Sequence, residues 1–75
     1  GGLLREAAEI HDAVRARVEP RTWEAFWLVA VRFWPAREVA DQLGMTTAAV
    51  YKASQRVLAM LRAEGRRRRD DEESP

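Results

Sequence analysis

Glu38-Val39-Ala40-Asp41-Gln42-Leu43-Gly44-Met45-Thr46-Thr47-Ala48-Ala49-Val50 is the stretch that decides the fold. Val39, Ala40 and Leu43 recur at helical spacing, which predicts a short helix over 36–43. Pro35 suits its first position, where the missing N–H would be unpaired anyway. Gly44 follows where a chain leaving a helix takes up left-handed geometry. Thr46 or Thr47 then offers a hydroxyl to cap a second, longer helix, predicted over 47–63. Ala40 allows the two backbones to approach, and Val39, Leu43 and Val50 fix their crossing. A short helix, a glycine turn and a longer helix with small residues at its front form a helix-turn-helix pattern.

The longer helix divides cleanly on a helical wheel. Val50, Ala53, Ser54, Val57 and Leu61 form an inward stripe. Gln55, Ala48, Ala59, Lys52, Ala63 and Arg56 face outward, with Tyr51 and Leu58 on one flank. Tyr51 is equally suited to touching a nucleic-acid backbone or packing beside Leu58. Small residues at the front (Thr47, Ala48, Ala49) let the helix enter a major groove about 12 Å wide.

Two more helices precede this pair. Leu3, Ala7, Ile10, Val14 and Val18 share a stripe, with Leu4 and His11 at its edge, predicting a helix over 3–18 that ends before Pro20. His11 has no partner constellation and reads as a packing residue. A helix predicted over 22–33, with Thr22 as its cap, carries Trp23, Phe26, Trp27, Ala30, Val31 and Trp34 on one broad arc, extended by Val29. Glu24, Ala25 and Arg32 mark its outside. An arc that wide implies contacts on two sides, with other helices of the fold and with a partner. No period-2 alternation suggests a strand. The expected class is all-α: four helices ending in a helix-turn-helix, like the winged-helix proteins without the wing.

Seventy-five residues make one small domain, expected over 3–65, after an appended Gly1-Gly2 scar and before a charged, disordered tail at 66–75. The formal net charge of +1 hides an uneven distribution. Residues 46–69 hold Lys52, Arg56, Arg62 and four consecutive arginines against a single acid, Glu64, while 70–73 are all acidic. A concentrated basic segment in a near-neutral chain is the footprint of a polyanion-binding element. With no cysteine and one histidine, disulfide and thiolate-metal frameworks are excluded, and no metal or cofactor is expected. The lack of cysteine fits a reducing, cytoplasmic compartment. No apolar run approaches the roughly 18–20 residues of a membrane span. No serine–histidine–acid set or phosphate-binding glycine loop is present, and Glu6 and Glu9 lie on an exposed helix face, so no enzyme reading survives.

From about 18 to 62 the chain resembles region 4 of the sigma-70 family of RNA polymerase sigma factors, above all the extracytoplasmic-function type. The match rests on Pro20, Arg21, Trp23 to Phe26 and Leu28, then on Glu38-Val39-Ala40 and Leu43-Gly44-Met45-Thr46. Val50, Arg56, Val57, Leu61 and Arg62 complete it. The resemblance implies recognition of the minus-35 promoter element in transcription initiation, docking on the β flap of core polymerase, and masking by an anti-sigma factor. It places DNA contacts at Thr46, Thr47, Ala48, Tyr51, Lys52, Gln55, Arg56 and Arg62. Of these, Lys52 and Gln55 are suited to base edges, and Arg56 and Arg62 to phosphates. Where the family has a Gly-Leu-Ser-like entry to its third helix, this chain has Phe33-Trp34-Pro35, without the capping hydroxyl. No second domain reads a downstream element, so a fragment of a longer protein is expected. Two alternatives remain: a helical interaction module that docks through Trp27, Leu28, Phe33 and Trp34, and the DNA-binding domain of a response-regulator-type factor.

Overall fold

The computed structural model describes the backbone of residues 2–73 and the side chains of 5–70. Gly1, the side chains of Leu3 and Leu4, and those of the acidic end from Asp71 onward lie outside the described residues. Among the described residues the chain is helical and contains no strand: α1 (Gly2–Arg15), α2 (Pro20–Phe26), α3 (Ala36–Leu43) and α4 (Thr47–Glu73). A π-helical turn, Trp27–Val31, continues α2. None of these helices is long and apolar enough to cross a membrane.

The boundaries of α3 coincide with the sequence expectation. Pro35 sits one place earlier than expected, as the N-cap, with no side-chain cap bond. Its carbonyl accepts the Val39 N–H at 3.2 Å. Gly44 ends the helix at φ +65, and its own N–H and that of Met45 both donate to the Ala40 carbonyl. Thr46, rather than Thr47, is the cap of α4, its Oγ1 accepting the Ala49 N–H at 3.1 Å. The helix-turn-helix corner is therefore made of one left-handed glycine and one hydroxyl.

Elsewhere the limits move. The first helix ends at Arg15, and a tight turn in which the Arg17 N–H reaches the Val14 carbonyl replaces the expected last turn. Thr22 is not a cap: α2 begins at Pro20, behind Glu19, whose extended backbone accepts the Trp23 N–H. Proline needs no partner for a missing donor, so it opens the helix earlier than the threonine would. The second helix then widens, the Arg32 N–H reaching back five residues to Trp27. It ends at Val31 with Arg32 as its C-cap, just before Phe33, the one non-glycine residue with positive φ (+60) among those described.

Two clusters form the core. Ala25 and Leu28 pack with Ala36, Val39, Ala40, Val50 and Ala53, joining α2 to the helix-turn-helix. Trp23 and Phe26 pack with Val14 and Val57, with Trp27, Ala30, Leu58 and Leu61 partly buried around them, joining α1 to the middle of α4. Lying between both clusters, α2 is buried through Trp23, Ala25 and Phe26 and leaves Pro20, Arg21 and Glu24 exposed. Ala25, expected on its outer face, is fully buried against α3 and α4. Ala7, expected on the inward stripe of α1, is exposed. His11 sits edge-on to Trp23 and Trp27 at ring-centroid distances of 5.7 and 6.3 Å, as a packing residue.

The largest departure is at the chain's end. The tail expected to be disordered from residue 66 instead starts as helix, and α4 runs unbroken through Gly65 to Glu73. Twenty-seven residues at 1.5 Å each make a rod of about 40 Å, which accounts for most of the molecule's 48 Å long axis.

Candidate nucleic-acid interface

Burial of Val50, Ala53, Ser54 and Val57 turns the opposite face of α4 to solvent. Thr46, Thr47, Ala48, Lys52, Gln55, Arg56 and Arg62 are all exposed, and Tyr51 keeps 55% of its surface. The structure thus brings seven of the eight residues expected to contact DNA onto one helix, with Thr46 engaged in capping its start. Ala48, Lys52, Gln55, Ala59 and Arg62 follow one another at three- or four-residue steps, so they line a single edge. Arg66 and Arg69 continue that edge beyond 63. Lys52, Arg56, Arg62, Arg66 and Arg69 have no ion pair among the described residues.

The other two arginines of the 66–69 run point elsewhere. Glu64 lies on the inward stripe, two turns beyond Val57, and is only 4% exposed. Its Oε2 accepts from Arg68 Nε at 3.1 Å and Arg67 Nη2 at 3.3 Å, while Arg17 Nη1 stands 3.6 Å from Oε1. Arg68 also reaches Glu9 at 3.1 Å, tying α1 to the far half of α4. Nothing in a charge count distinguishes Glu64 from a solvated acid. The signal that could have found it is its phase, seven residues after Val57 on the same stripe.

The four residues expected to dock a protein partner do not form one surface. Leu28 is buried with Val39 and Val50 in the core around the helix-turn-helix and is not accessible to a partner. Trp27 is half-buried, stacked on Trp23 at 6.3 Å beside a groove of about 440 Å³ between α1 and α2. Phe33 is 84% exposed and Trp34 is partly so, on the connection to α3. The Trp34 N–H donates to the Leu28 carbonyl at 2.9 Å, which holds Phe33 in its left-handed conformation. Among the described residues no three acidic or histidine side chains converge on a possible metal position. No family model, no curated protein and no solved structure matches this chain.

Proposed function

We propose that this chain is a DNA-binding helix-turn-helix domain, of the kind that reads the minus-35 promoter element in RNA polymerase sigma factors. One observation carries the reading. Behind a capped glycine corner, α4 presents an exposed face with small residues in front, long polar ones in the middle, and cations along it, with no acid before Glu64. A helix of this shape fits the major groove, and its cations release counterions from phosphates. Lys52 and Gln55 govern which sequence is preferred; Tyr51, Arg56 and Arg62 hold the backbone. Docking on core polymerase and masking by an anti-sigma factor belong to the same proposal through the family resemblance.

The reading is tested by fluorescence anisotropy on a minus-35-type duplex and a scrambled one. Gln55→Ala and Lys52→Ala should narrow the difference between the two duplexes, since each good base-edge interaction is worth roughly 1–3 kcal/mol of discrimination. Loss of preference in a folded variant supports the reading, whereas unchanged binding of both variants to both duplexes refutes it. A second reading, as a protein-interaction module, draws on Phe33. A bulky aromatic at positive φ with most of its surface in water bears two local costs, and such costs gather at functional positions. A chain that retains core polymerase but ignores every duplex would favour it.

A further inference from the structure

We infer that Arg17, from the turn between α1 and α2, is a phosphate-contacting residue that gives the α4 interface a second, non-contiguous edge; the inference rests on the DNA-binding reading above. Three observations converge on it. First, Arg17 and Arg56 line one cleft of about 280 Å³ together with Thr22 and Glu19. On its other side Arg17 borders a second hollow, of about 320 Å³, with Arg67 and Glu64. Arg56, Arg17 and Arg67 therefore follow one another along the flank of α4, three cations against the two acids Glu19 and Glu64, the latter already bonded to Arg67.

Second, Glu64 holds Arg17 only weakly, since its two hydrogen bonds go to Arg67 and Arg68 through Oε2. Three guanidinium groups face one carboxylate, and Arg17 is the most distant at 3.6 Å, beyond hydrogen-bond range. Third, the Arg17 side chain is 58% exposed, so it can swing to an oxygen outside the protein while Arg67 and Arg68 keep their bonds to Glu64 Oε2. The ligand is identified by chemistry and by continuity. A planar guanidinium beside a hydroxyl and a second guanidinium suits a phosphodiester oxygen. The cleft opens beside Arg56, the member of the α4 face nearest this flank, so the strand that α4 straddles is the polyanion within reach. Sequence alone does not point to Arg17, which lies in a turn thirty-nine residues from Arg56.

The test is a salt titration of the whole chain binding a fluorescein-labelled duplex, with Arg17→Gln compared with Arg15→Gln. Glutamine keeps a donor toward Glu64. Arg15 carries the same charge at the same end of α1 but lines the groove with His11, away from the cleft. Arg17→Gln should lower the slope of log K against log salt by about 0.9, equivalent to roughly eightfold weaker binding at 0.1 M salt. Its melting temperature and its preference between duplexes should stay at wild-type values. If Arg17→Gln changes the slope no more than Arg15→Gln does, the inference falls. In that case a surviving effect of Gln55→Ala on sequence preference keeps the DNA-binding reading intact. Failure of the wild-type chain to bind any duplex at low salt overturns both.

Discussion

The two halves of α4 are held to the body of the domain by different forces. From Val50 to Val57 the inward stripe, aliphatic but for Ser54, is buried against α1, α2 and α3, and its stability comes from water excluded around Val50, Ala53 and Val57. From Leu61 onward the same stripe continues as Glu64 and Arg68, and the attachment to α1 is an ion cluster. One helix thus changes from hydrophobic to ionic anchoring across a single turn. The first half should be insensitive to salt and intolerant of cavities; the second should respond to salt through the exposed Arg67 and the Glu9–Arg68 pair, and less through the buried Glu64 carboxylate. The part of α4 that carries Lys52, Gln55 and Arg56 is thus anchored by apolar packing, and the part that carries most of its arginines by ion pairs.

The sharpest break of the aliphatic half is Phe26→Ala, which empties the space beside Val14 and Val57. It should cost about 3–5 kcal/mol, a large fraction of a small domain's stability. Urea unfolding should show that loss equally at low and high salt. Glu64→Gln addresses the other half. It should cost about 1–3 kcal/mol through weakened charge-assisted bonds, and the deficit should shrink in 1 M salt. Hydrogen exchange sharpens the contrast: amides beyond 64 should lose protection in this variant, while those of 50–57 keep it.

Two glycines give smaller effects of opposite sign. At Gly44 nothing obstructs a Cβ, yet φ is +65, so Gly44→Ala should destabilise by about 1 kcal/mol through backbone strain alone. Gly65 has helical geometry, and an added Cβ would meet only Ile10 Cδ1 at 3.8 Å, an ordinary contact. Gly65→Ala should therefore stabilise the outer half by up to about 1 kcal/mol, read as a higher melting temperature.

The same contrast explains what can be read in the residues. The helix-turn-helix corner is legible because each signal there is local: periodic apolar residues, a glycine in left-handed geometry, a threonine hydroxyl. The outward face of α4 follows from its inward stripe by simple rotation. Ala25 is not legible, since a side chain that small gives no hydrophobic signal and its burial depends on a second cluster forming around α2. Leu28 misleads for a related reason: it lies off the apolar arc, beside Glu24 and Arg32 on the wheel, and becomes core only because α3 and α4 cover that side. The run of α4 past Gly65 is hidden because glycine is a poor helix former, and the compensation includes a Glu9–Arg68 pair whose members are distant in sequence. Of the four consecutive arginines, the ion cluster takes two and leaves Arg66 and Arg69 on the open face, a division that a charge count cannot make.

The most direct test of the account is a salt-dependent binding titration against minus-35-type and scrambled duplexes, comparing the wild-type chain with Gln55→Ala and with an Arg66→Ala/Arg69→Ala variant. Gln55→Ala should lose preference between the duplexes with its salt slope unchanged. The double arginine variant should keep its preference while its slope falls by up to about 1.8, at roughly 0.9 for each phosphate neutralised. Equal binding of all three proteins to both duplexes, with each still folded by circular dichroism, would contradict the claim that α4 reads DNA.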